Sequence, residues 1–83
     1  MAYNIIYKGS VKRDLKDIGK PEARRILDQL EADLSSTPEK YPTLTGKFEG
    51  LRKYRVGNYR VIFAILHDDI LVLRIGHRKD VYR

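Results

Sequence analysis

The chain has 83 residues, with 17 Lys and Arg against 11 Asp and Glu and a net charge of +6, which makes one small basic domain. It holds no cysteine and only two histidines, far apart in sequence, so disulfides and thiolate or histidine metal sites are not expected. No apolar run reaches membrane-spanning length and MAYNIIYKGS lacks the long apolar stretch of a signal peptide. The expected class is therefore a soluble cytoplasmic protein, without metal or cofactor, whose charge suits nucleic acid or an acidic protein.

Ala2 to Lys8 reads as a short strand, with Tyr3, Ile5 and Tyr7 on one face and Ile6 on the other. Ser10 is the expected N-cap of a first helix in which Val11, Leu15 and Ile18 recur at helical spacing, and Gly19 ends it. Pro21 suits the first turn of a second helix, with Glu22 well placed near its N-terminus. Ala23, Ile26, Leu27, Leu30 and Leu34 form that helix's apolar stripe, while Arg24, Arg25, Asp28, Glu31 and Asp33 lie outside it as a solvated face. The short link implies an antiparallel helical hairpin.

Residues 35–47 form the one long irregular stretch, punctuated by two prolines and a glycine. Strands are expected at 48–56, 59–66 and 70–77, the first two joined by a two-residue turn at Gly57-Asn58. The order β-α-α-β-β-β predicts a single α+β domain over residues 1–83. Its mostly antiparallel four-stranded sheet carries the helical hairpin on one face.

The Gly57-Asn58 turn pairs Val56 with Tyr59, Arg55 with Arg60, Tyr54 with Val61 and Lys53 with Ile62. Residues directly opposite share a face. One face thus carries Tyr54, Val56, Tyr59, Val61, Phe63 and Ile65, and is the better core face. The other carries Leu51, Lys53, Arg55, Arg60, Ile62 and Ala64. For the next hairpin, a two-residue Asp68-Asp69 turn would bring Arg74 onto the core face. A three-residue loop, His67-Asp68-Asp69, instead pairs Ile65 with Leu71, Phe63 with Leu73 and Val61 with Ile75. Each buried aliphatic is worth roughly 1.5–3 kcal/mol, against the cost of burying an unpaired guanidinium, so the three-residue loop is expected. That loop reads as solvated and not as a metal site.

The last 33 residues hold eight of the 17 basic and three of the 11 acidic side chains, a local net of +5. In the expected register Lys53, Arg55, Arg60, Arg74 and Arg78 line the face away from the helices. Like charges on adjacent strands cost stability, so the face either takes an anion or lets its side chains splay into water. The pattern leaves the two in balance. The tail then adds His77, Lys79, Tyr82 and Arg83 beside that face. RNA cleavage needs a 2′-hydroxyl proton removed, a pentacoordinate phosphate stabilised and a leaving 5′-oxygen protonated, and these residue types can supply all three without a metal.

LRKYRVGNYRVIFAI followed by LRIGHRKDVYR resembles the RelE/ParE toxin superfamily, whose hallmarks are an L-R-x-x-R-x-G-x-Y-R-V-I-[YF] hairpin and a last strand ending G-[HK]-R-x-x-[VI]-Y. RelE-type members cut the A-site codon of translating mRNA without a metal; ParE-type members share the fold and poison DNA gyrase. Both are neutralised by a cognate antitoxin.

The resemblance implies that Arg60 and Arg78 hold the scissile phosphate or stabilise its transition state and that Lys53 matches a functional lysine. It also implies that Tyr82 matches a tyrosine linked to 2′-hydroxyl activation or substrate orientation. His77 sits where some members have lysine, as acid, base, or phosphate or base contact. Arg52, Arg55, Arg74, Lys79 and Arg83 are the further candidates for RNA and phosphate contact. Leu51 replaces a second lysine of the pattern, and the sequence ends at Arg83 without the extra C-terminal helix of some members. The expected function is a ribosome-dependent mRNA endonuclease toxin with a cognate antitoxin and the mRNA-loaded ribosome as partners. The alternatives are a gyrase inhibitor on the same fold or a non-catalytic RNA-binding module.

Overall fold

The structure, a computed structural model, describes residues 3–44, 46 and 50–77. Its elements are β1 (Asn4–Tyr7), α1 (Gly9–Ile18), α2 (Lys20–Leu34), a 3-10 turn at Pro38–Lys40, β2 (Arg52–Val56), β3 (Tyr59–Leu66) and β4 (Asp69–His77). The strands form one four-stranded sheet in the order β1-β4-β3-β2. β1 runs parallel to β4, and the other two pairings are antiparallel. The predicted α+β order and the mostly antiparallel sheet are both present.

Gly19 separates the helices at φ 100, where a Cβ would be strained, and donates its N–H to Leu15 at 3.1 Å. The α2 stripe packs as the spacing requires, with Ala23, Ile26, Leu30 and Leu34 buried and Leu27 partly so. From α1, Val11 is fully buried, while Leu15 and Ile18 flank the core. The opposing sheet face supplies Tyr54, Val56, Val61 and Phe63, with Tyr59 and Ile65 at its margin, as the hairpin pleat predicts. Tyr3, Ile5 and Tyr7 pack against the same core, while Ile6 on the other face is 47% exposed.

Three local expectations are corrected. The strand expected from residue 48 starts at Arg52, after a turn at Gly50. Ser10 is not an N-cap: α1 begins at Gly9, Lys8 occupies the cap position without a side-chain bond, and the Ser10 hydroxyl donates to the Leu73 carbonyl at 2.8 Å. The third correction concerns the β3–β4 register.

The β2–β3 hairpin has the predicted pairs, Val56 with Tyr59 through Lys53 with Ile62. Gly57 at φ 58 takes the positive-φ first position of the two-residue turn, which a side chain would strain. Between β3 and β4, however, the connection is His67-Asp68, with Leu66 paired to Asp69, Ile65 to Ile70 and Phe63 to Val72. His67 takes φ 57 to make that shorter turn. The register then shifts between Ile62 and Phe63, so that Ile62 faces Arg74 and Val61 faces Ile75. The one-residue offset assigned to the loop lies in the strand as a β-bulge around Leu73 and Arg74. Its effect is to bury Ile70, Val72 and Ile75 completely instead of Leu71 and Leu73.

Three tyrosines tie the sheet to its surroundings: Tyr7 donates to Glu31 at 2.6 Å, Tyr3 to Glu39 at 3.0 Å, and Tyr54 to Asp33. The Tyr54 hydroxyl, with Gln29 beside it, holds the Asp33 carboxylate below its ordinary value of 3.8. Tyr54→Phe is expected to cost about 1–2 kcal/mol in urea unfolding near neutral pH. Because the folded-state value of Asp33 is depressed, its contribution is present above 3.8 and lost as pH falls through the folded value, so the gap between wild type and Tyr54→Phe closes in acid.

Candidate nucleic-acid interface

The predicted cationic row is built by the β2–β3 pairing. Arg55 lies directly opposite Arg60, and Lys53 opposite Ile62, on the face away from the helices. Ile62 is only 4% exposed although it stands outside the helix-side core, with Lys53 and Arg74 paired to it on either side. Long basic side chains in such positions lay their alkyl stems along an apolar neighbour and keep their charges in water.

The irregular stretch after α2 folds along the open edge of β2 and becomes a wall of this face. Leu44 donates to the Leu51 carbonyl at 2.8 Å, the Lys53 N–H donates to the Pro42 carbonyl at 3.1 Å, and Thr43 bridges to Arg52. Tyr41 is fixed edge-on against Tyr54 and Phe63, at ring-centroid distances of 5.1 and 6.4 Å. The result is an open groove of about 290 Å³ lined by Tyr41, Pro42, Lys53, Tyr54, Arg55 and Arg60. Three cations in one groove suit a phosphodiester, while the Tyr41 ring packs against the core residues Tyr54 and Phe63 at its margin.

Other predicted residues are placed differently. Arg52 pairs with Phe63, and its guanidinium donates to the carbonyls of Glu39 and Tyr41 at 3.0 and 2.6 Å, so it secures the groove wall. Arg55 also donates to Gly57 at 3.3 Å, across the hairpin turn. Arg74 keeps its register position in the cationic row, but its guanidinium is bidentate to Asp14 of α1, at 2.9 and 3.2 Å, which raises its pKa further. Arg74 thus keeps the face expected for it, with its guanidinium engaged by Asp14.

His77 pairs with Tyr59, on the helix side of the sheet, with the two rings edge-on at 6.0 Å. It lines a second depression of about 310 Å³ with Asp14, Asp17, Tyr59 and Arg74, not the Lys53–Arg60 groove. Arg78, Lys79, Tyr82 and Arg83 lie outside the described residues.

Sequence reasoning missed Tyr41 and Pro42 as groove residues and Asp14 as the partner of Arg74. The first two carried a weak signal, an aromatic next to a proline in an otherwise polar stretch. Asp14 carried none beyond its four-residue spacing from Ser10. Among the described residues there is no cluster of three metal-binding side chains and no helix long and apolar enough to cross a membrane.

The family described as "ParE toxin of type II toxin-antitoxin system, parDE" matches residues 5–82. The chain belongs to the RelE/ParE toxin superfamily. It is a toxin of the type II toxin–antitoxin class. Toxin RelG of Mycobacterium tuberculosis is 28% identical over 86 residues, covering 100% of this chain and 99% of that protein. The crystal structure of the toxin–antitoxin complex RelBE2 from the same organism contains a chain with TM-score 0.86 and 25% identity, covering 94% of this chain and 100% of that one. A chain of the chromosomal ParDE system of P. aeruginosa shares the fold at TM-score 0.70 and 17% identity, covering 92% and 96%.

Since Arg52 holds backbone carbonyls of the groove wall, Arg52→Ala is expected to loosen that wall without unfolding the toxin. The Leu44 amide should exchange with solvent about tenfold faster while core amides of β3 keep their protection, as read by native-state hydrogen exchange.

Proposed function

We propose that this toxin is a ribosome-dependent mRNA endonuclease that acts without a metal and halts translation. The observation that carries the reading is the groove itself: Lys53, Arg55 and Arg60 converge beside Tyr41 on the sheet face that the helices leave open. Arg55 stands directly opposite Arg60, which puts two guanidinium side chains on neighbouring strands of that face, where a phosphate can meet both. In the proposed reaction the 2′-oxygen of the A-site ribose bonds to phosphorus and the bond from phosphorus to the 5′-oxygen breaks. The 2′-proton passes to a base on the toxin and the leaving oxygen takes up a proton. The products are a 2′,3′-cyclic phosphate and a 5′-hydroxyl.

Lys53 and Arg60 stabilise the charge on the pentacoordinate phosphate from the groove. Arg78 and Tyr82 supply the second guanidinium and the phenol that the superfamily resemblance assigns to phosphate binding and 2′-hydroxyl activation. His77 stands apart from this groove chemistry, on the helix side with Tyr59. The RelBE2 relative was solved as a toxin–antitoxin complex, which supports a cognate antitoxin as this chain's neutralising partner. A cytoplasmic location follows from a ribosomal target.

The match to the ParE family over residues 5–82 favours a second reading, inhibition of DNA gyrase on the same scaffold. Induced expression followed by mapping of mRNA 5′ ends decides between them. The proposed activity yields new 5′-hydroxyl ends within translated frames, and Lys53→Ala/Arg60→Ala lowers their frequency by about 10²-fold or more. Intact mRNA accompanied by a DNA-damage response and filamentation would instead establish the gyrase reading.

A further inference from the structure

β4 outruns its parallel partner. β1 pairs with it only from Asn4–Asp69 to Tyr7–Val72, and the last backbone bond of that edge is from Lys8 to the Val72 carbonyl, at 2.9 Å. Beyond it, α1 takes over the edge with two side chains one helical turn apart. The Ser10 hydroxyl donates to the Leu73 carbonyl at 2.8 Å, and the Asp14 carboxylate accepts the Ile75 N–H at 2.9 Å. Asp14 also receives both guanidinium bonds of Arg74, and its side chain is only 11% exposed. The three β4 residues held in this way begin at Leu73, where the register shifts between Val72 and Arg74.

That shift decides which β4 residue stands opposite Arg60. Continued from the turn without an offset, the pairing would set Arg74 opposite Val61, in the apolar core, and Ile75 opposite Arg60. With the offset, Ile75 is buried opposite Val61 and Gly76 lies opposite Arg60. A glycine at that point puts no side chain opposite Arg60, where an isoleucine would otherwise stand. We propose that Asp14 is a positioning residue for RNA cleavage, holding the bulge that keeps Gly76 against Arg60; this inference rests on the endonuclease reading above. Asp14 touches no substrate and acts through the strand.

The test compares full-length wild type, Asp14→Ala, Asp14→Asn and Asp14→Glu. Two measurements are made: single-turnover cleavage of A-site mRNA on programmed ribosomes, and the cross-strand backbone contact between Arg60 and Gly76 by NMR. Asp14→Ala is expected to lower kcat by about 10- to 100-fold with little change in KM, because a misplaced groove residue costs orientation more than binding. The Arg60–Gly76 contact weakens in the same variant. Asp14→Asn keeps an acceptor for the Ile75 N–H and restores most of the rate and the contact. If Asp14→Ala does not fold, the Asn and Glu variants carry the comparison, since the longer Glu side chain displaces the acceptor and lowers kcat. A folded Asp14→Ala with the wild-type kcat, or equal kcat for Asn and Glu, overturns the positioning role while leaving the endonuclease reading intact. A wild-type toxin that cuts no mRNA on ribosomes overturns both.

Discussion

The structure depends on how β4 is bounded along its length. It is flanked by β3 over its whole extent and by β1 over only its first four residues, and α1 closes the remaining edge. A strand end with open N–H and C=O groups frays in water, and α1 prevents this with one hydroxyl and one carboxylate, both presented next to the apolar residues that anchor the helix. The same contacts hold the bulge, and the bulge in turn lets β4 give three fully buried side chains to the core while keeping Gly76 by Arg60. Packing and site geometry are therefore set by one junction between the first helix and the last strand.

From that junction the sheet acquires two unlike faces. The helix side is largely apolar, with tyrosine hydroxyls reaching carboxylates of α2 and the 3-10 turn, and with His77, Asp14 and Asp17 around the depression at the end of β4. The other side holds Lys53, Arg55 and Arg60, walled by Tyr41 and Pro42. Its charge is not uniform. Arg52 is committed to the wall and Arg74 to Asp14, so only part of the basic surplus points into the groove. Net charge alone therefore overstates how many of the cations face the groove.

Much of this was legible because the chemistry is local. Gly57-Asn58 fixes the β2–β3 register, and with it the faces of Lys53, Arg55 and Arg60. The β3–β4 register was legible only in part. The pairing of Val61 with Ile75 was correct, since the total offset was correct, but the offset lies in the strand and not in the loop. Nothing near residues 67–75 announces this, because the groups that stabilise the bulge, Ser10 and Asp14, are some sixty residues away. Ser10 was misread for the same reason: serine before an apolar run is a good cap by local rules, and a distant carbonyl outcompetes the cap. Tyr41 enters the site through backbone bonds along the edge of β2, which no periodicity encodes.

The central claim is that the face away from the helices is the RNA surface. It is tested most directly by following backbone amide shifts of the toxin during titration with a short single-stranded RNA carrying 2′-O-methyl groups, which block cleavage. At low salt the largest shifts should fall on Lys53, Arg55, Arg60, Gly76 and Tyr41, and should shrink as salt is raised. Shifts confined to α1 and α2, or absent from the groove while RNA binds, would contradict the account.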